Sequence, residues 1–131
     1  LFPGRRHSSF EWNIVGHDVR GNSTQAELEV PATSLDAYFS PGSRVDFVKM
    51  DIEGAEAQAL RGMRRLLREC KPLLLVEFHS EDGWAGRREL FSAGYSLYDV
   101  KNVRWLDCEL DVDRVYQCLA IPRERVTDIG L

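Results

Sequence analysis

Apolar positions along this chain change period several times, and each change marks an element. From Val45 to Met50 (V-D-F-V-K-M) they crowd together, which predicts a strand buried on both faces. Leu73 to His79 (L-L-L-V-E-F-H), opened by Lys71-Pro72, predicts a second strand of the same kind. Between them, Leu60, Met63, Leu67 and Cys70, flanked by Ala59 and Leu66, form one stripe at helical spacing over Ala55 to Cys70. Arg61, Arg64, Arg65 and Arg68 take the other side as a solvated face. Gly62 costs such a helix about 1 kcal/mol relative to Ala, which the periodicity outweighs, so one unbroken helix is expected. A strand, a helix and a strand in this order make a right-handed crossover with the strands parallel. Both strands then finish at one edge of the sheet.

The flanks follow looser patterns. Ser8 to Val15 alternates, with Phe10, Trp12 and Ile14 on one face, and Ala26 to Val30 alternates again before Pro31. With Gly16 to Ser23 as the turn, the two runs suit a hairpin with a long connection. Thr33 or Ser34 caps a short helix, S-L-D-A-Y-F, which Pro41-Gly42 ends. Downstream, Ser80 to Asp82 caps a helix over Trp84 to Ala93, with Gly94 as its stop. Tyr95 to Asp99 and Val103 to Leu106 suit a hairpin around Lys101-Asn102. Val115 to Ile121, closed by Pro122, is the last strand, and a frayed tail is expected from Arg123. The predicted whole is one α/β domain: lead-in strands and short helix over 1–44, a β-α-β core over 45–79, a helix and antiparallel strands over 80–122, and a tail over 123–131.

Composition narrows the class. The chain has 131 residues, 44% hydrophobic and 29% charged, which suits one soluble globular domain. A net charge of -4 speaks against a nucleic-acid partner bound by phosphate neutralisation. No apolar run approaches the roughly 18 residues of a membrane span, so no membrane partner is expected. Cys70, Cys108 and Cys118 are odd in number and form no C-x-x-C pair, which predicts reduced thiols in a cytoplasmic protein. The abrupt opening, L-F-P-G-R-R-H, reads as part of a longer protein.

Chemistry gathers where the two core strands end. Asp51, Glu53 and Glu56 surround Gly54 after the first, and Glu77 and His79 close the second. Neighbouring strands lie about 4.8 Å apart, so these side chains can converge at the edge where open α/β sheets bind ligands. Lys49 is expected to pair with Asp51 or Glu77, because an unpaired buried charge is costly, and Glu77 is read as structural. Glu56 is expected to cap and charge the helix start, Glu53 to do that or chemistry, and Gly54 to make a tight turn. A metal on Asp51, Glu53 and His79 has no ligand spacing behind it, and none is assigned. Trp12, Trp84 and Trp105 are read as core or cover residues, while His7 and His17 carry no signal.

V-D-F-V-K-M-D-I-E-G-A-E, followed by A-L-R-G-M and P-L-L-L-V-E-F-H, resembles the C-terminal half of an FkbM-type methyltransferase. The upstream V-P-A-T-S-L-D resembles the lead-in to the same strand. The resemblance implies a Rossmann-like sheet, S-adenosylmethionine as cofactor, and methyl transfer to a hydroxyl of a sugar or secondary metabolite. It implies Met50 and Asp51 at the cofactor, and Asp51, Glu53 and His79 as catalytic residues, with His79 the natural base. This sequence departs from the family at the start: Gly4, Gly16 and Gly21 do not make the glycine-rich cofactor loop, and the first three strands of such a sheet are absent. The expectation is a partial sheet, inactive alone, whose first core strand keeps an unpaired edge open to association. Two other readings stand beside it: a non-catalytic remnant that binds through that edge, and a metal-dependent hydrolase using the acid cluster.

Overall fold

The structure, a computed structural model, describes residues 15–17, 23–25, 31–107, 111 and 113–129. It divides into two units, Leu1–Thr33 and Ser34–Leu131. In the first, β1 (Val15–His17) pairs antiparallel with β2 (Ser23–Gln25), with Val15 opposite Gln25 and His17 opposite Ser23. Gly16, His17 and Ser23, expected in the turn, are therefore paired strand residues. The alternating positions 8–14 and 26–30, with Trp12, lie outside the described residues, as does Cys108.

The second unit opens with α1 (Leu35–Tyr38), whose N-cap Ser34 accepts from the Ala37 amide at 3.1 Å. Then come β3 (Phe47–Met50), α2 (Glu56–Arg61), α3 (Arg64–Glu69) and β4 (Leu73–Glu77). α4 (Glu81–Ala85), α5 (Arg87–Ser92), β5 (Tyr95–Asp99) and β6 (Arg104–Leu106) follow. β7 (Gln117–Pro122) leads into a 3-10 turn at Arg123–Arg125 and α6 (Val126–Ile129). The sheet runs β3-β4-β7-β5-β6, with β3 parallel to β4 and the other pairs antiparallel. Because β7 opposes both β4 and β5, the strands β3, β4 and β5 all end at one rim, where β7 begins.

Burial is less even than the apolar runs suggest. In β4, Leu74 and Val76 are fully buried while Leu73, Leu75 and Glu77 are half-buried. In β3, Phe47 is 54% exposed, because this strand has a sheet neighbour on one side only among the described residues. Leu60, Met63, Leu66 and Leu67 pack with the inward residues of β4, β5 and β7 as one core, together with Trp84, Leu90 and Tyr95.

The expected single helix is two. α2 stops at Gly62 and α3 starts after Met63, whose own side chain caps nothing. The cap comes from α1: the Asp36 carboxylate accepts from the Arg65 and Leu66 amides at 2.8 and 3.0 Å. The Asp36 amide in turn donates to the Gly62 carbonyl at 2.9 Å. A Cβ at Gly62 would stand 3.1 Å from the Ser34 Cβ, so glycine lets α1 come close enough to do this. Arg65 is also more than a solvated charge, since it donates to the Asp36 and Phe39 carbonyls.

The helix expected from Trp84 begins earlier, at Glu81, because Ser80 accepts from the Gly83 amide at 2.9 Å and opens it there. Gly86 then divides it from α5. The tail is anchored rather than frayed: the Arg123 amide donates to the Gly94 carbonyl at 3.0 Å, and Glu124 pairs with Lys71.

Candidate active site

The parallel register sets Met50 opposite Val76, which carries Asp51 alongside Glu77 just past the strand ends. His79 lies in reach of both acids that follow β3. Its Nε2 is 3.0 Å from Asp51 Oδ1 and its Nδ1 is 3.5 Å from Glu53 Oε2. Lys49 donates to Asp51 Oδ2 at 2.8 Å and stands 3.9 Å from Glu77. The Lys49 hydrogen bond first, and His79 second, hold the Asp51 carboxyl below its usual range. The same bond to Asp51 raises the Lys49 ammonium.

Glu53 is aimed by a strained turn. Glu53 has φ of 55° and Gly54 has φ of 105°, and the Ala55 amide closes the turn on the Ile52 carbonyl at 3.4 Å. Only glycine takes this left-handed region without cost, so Glu53 is held there by its surroundings. Glu56 supplies part of that hold. It stands in the first turn of α2, where a charge at the helix start was expected, and is fully buried there, its Oε1 accepting from the Gly54 amide at 2.9 Å.

Met50 does not join the cluster. Alternation along β3 turns it away from Lys49 and Asp51, and it is buried in the hydrophobic core. A residue unsuspected in the sequence takes a place instead. Tyr116, just before β7, packs edge-on against His79 with ring centroids 5.4 Å apart. The Glu77 carboxylate beside its hydroxyl, foremost, raises the phenol. Gln117 donates to Glu77 at 3.0 Å. The readable signal was strand direction, because an antiparallel strand enters the sheet at the rim where parallel strands leave it. Beyond Tyr116 the rim continues into a cavity of about 340 Å³ lined by Asp99, Lys101, Arg104, Asp113 and Arg114 among others.

Asp51, Glu77 and His79 offer ligand atoms within 4.8 Å of one another, so Glu77 rather than Glu53 completes the trio that geometry would give a metal. The Lys49 ammonium already supplies a cation beside both carboxylates.

Residues 4–104 match the model of the Methyltransferase FkbM domain. The chain belongs to this family. Comparison with curated proteins and with solved structures returned no match. The FkbM match spans β3, α2, α3 and β4, and so every acid of the rim cluster and His79. It ends within β6, which leaves Tyr116 and Gln117 beyond it. No described helix is long and apolar enough to cross a membrane.

A methyl donor is the group to test against these residues. The carboxylates of the rim suit a cationic sulfonium. Close backbone approach to a nucleotide is another matter. A Cβ at Gly83 would meet Glu56 and one at Gly86 would meet Ala57, while Gly54 faces Ser80. Gly42 and Gly94 precede the starts of β3 and β5, at the opposite rim. The described residues therefore fit the reacting end of such a donor and not its nucleotide end.

Proposed function

We propose that this chain is the acceptor-side half of an S-adenosylmethionine-dependent O-methyltransferase acting on a hydroxyl of a sugar or secondary metabolite. The observation that carries this reading is the His79 ring set between Asp51 and Glu53 at the rim of an FkbM sheet. The cofactor supplies an electrophilic methyl group on sulfur. The chain's own task is to align the hydroxyl and take its proton. With Asp51 accepting from Nε2–H, Nδ1 is left as the base, and Glu53 stabilises the ring once it is protonated. A positioned base is worth about 10²–10⁴-fold in rate. The cavity beside Tyr116 gives the body of the acceptor room on the same rim. The nucleotide end requires a glycine-rich strand and turn, a spacing that Gly4, Gly16 and Gly21 of this sequence do not make, so the chain alone is expected to be inactive. A reducing, cytoplasmic setting belongs to the same reading and agrees with the free Cys70 and the buried Cys118, whose thiol burial pushes up to about 12.

The test is calorimetric titration of S-adenosylmethionine into the chain and into a form extended upstream, followed by methyl transfer to a panel of polyols. The extended form should bind and transfer, and His79→Ala should lower turnover by about 10²–10⁴-fold. Transfer unchanged in both Asp51→Ala and His79→Ala would remove the cluster from the reaction. Association through the β3 edge is a second reading, favoured by the exposure of Phe47. It predicts a change of oligomeric state on Phe47→Lys. The hydrolase reading predicts that divalent metal, and not the methyl donor, raises the melting temperature.

A further inference from the structure

Among the described side-chain atoms, Glu56 Oε2 is one of two that are buried without a hydrogen-bond partner, the other being Arg87 Nε. An unmade hydrogen bond on a buried carboxylate is costly, and its persistence asks for a reason. Three contacts give one. Oε1 holds the Gly54 amide at 2.9 Å. Oε2 fills the place that a side chain at Gly83 would take, since a Cβ there would lie 2.2 Å from it. Gly54 itself backs onto Ser80, 3.5 Å from where its own Cβ would be. The carboxylate therefore sits between the loop that carries Asp51 and Glu53 and the loop that carries His79 and Ser80.

We propose that Glu56 is the positioning residue of this site: its buried carboxylate pins the left-handed Glu53–Gly54 turn against the loop after β4 and so sets Glu53 beside His79. The single 3.4 Å bond from Ala55 to Ile52 is long for the purpose, and the bond from Gly54 to Glu56 is the shorter of the two. Glu56 reaches neither Asp51 nor His79, so it acts only through the turn. The catalytic meaning of this rests on the function proposed above, whereas the geometric claim does not.

The experiment reads the imidazole nitrogen resonances of His79 in the labelled chain, a signal that needs neither donor nor acceptor. Glu56→Ala should shift them and abolish their response to Glu53→Gln. Glu56→Gln should keep both, because its side-chain carbonyl still accepts from the Gly54 amide. Gly83→Ala should reproduce the shift seen in Glu56→Ala by displacing the carboxylate without removing it, and decides the matter if Glu56→Ala does not fold. Leu60→Ala, a fully buried loss on the same helix, should lower the melting temperature and leave His79 unmoved. In methyl transfer, Glu56→Ala should lower kcat by about 10²-fold with KM for the donor held. An unmoved His79 signal in Glu56→Ala and Gly83→Ala, or a Glu56→Gln variant that behaves as Glu56→Ala does, would overturn the proposal. Failure to bind S-adenosylmethionine would remove the proposed reaction and leave this result standing.

Discussion

The two sides of the sheet are held by different means. At the centre, Leu74, Val76, Leu97, Cys118 and Ala120 are fully buried and pack in one core with Leu60, Leu66 and Leu67 of the helices. At the β3 edge, Phe47 is 54% exposed, Lys49 is exposed and ion-paired with Asp51 and Glu77, and Met50 is the one fully inward residue of the strand. The candidate chemistry lies on this less buried side. Hydrophobic burial supplies stability without direction, whereas a reacting group needs direction and access. Exposed ion pairs contribute little stability, so the rim depends on the centre to exist and on Glu56 and the turn to be aligned.

The largest test of this contrast is a pair of truncations. Leu97→Ala in β5 should cost about 2–5 kcal/mol, and Phe47→Ala in β3 should stay within about 0.5 kcal/mol, both by urea unfolding. Similar costs at the two sites would mean that the β3 edge is covered and the contrast false. Next comes Gly86→Ala. Its Cβ would lie 2.7 Å from the Ala57 Cα, a backbone atom that cannot step aside, and overpacking of this kind costs about 1–3 kcal/mol. A neutral result there would show that α4 and α2 are not in register as described.

A smaller effect belongs to Asp36→Ala, which strips the cap from α3 and should cost about 1 kcal/mol, with loss of helical signal. The smallest is in acid and sets one carboxylate from each side against the other. For Asp99, burial pushes the carboxyl up, but hydrogen bonds from the Asn102 side chain and the Asn102 and Lys101 amides, with Arg104 nearby, bring it below its ordinary 3.8. Asp51 is lowered by Lys49 first and His79 second. A depressed carboxylate stabilises the fold fully above its unfolded value and loses that contribution as pH falls through the lower folded one. The acid limb below pH 3.8 should therefore flatten in Asp99→Asn and stay nearly as it is in Asp51→Asn, because Asp51 is solvent-screened. The check is melting temperature against pH; equal flattening would place Asp51 in a more protected site.

Much of the fold was legible because periodicity reports burial directly. The alternation of β5, the parallel pairing of β3 and β4, and the stripe of Leu60, Met63 and Leu67 all follow from side-chain pattern. The partner of Lys49 was legible too, but not for the expected reason: Lys49 is exposed, and it meets Asp51 because residues two apart on a strand share a face. The break at Gly62 was not, because its cause is Asp36, distant in sequence, reaching across to the amides of α3. Tyr116 was hidden for the same kind of reason: nothing local to V-Y-Q-C says which acid it will meet. The match to FkbM stops before it, so family likeness offers no help there.

Local order in the chain, then, determined which segments extend, which coil, and that two strands run the same way with acids at their tips. Such features depend on neighbours a few residues apart. Tertiary structure alone decided that Glu56 is buried and holds Gly54, that Met50 turns inward, and that β7 brings Tyr116 to His79. Those outcomes depend on distances between segments far apart in the chain, and only packing sets such distances.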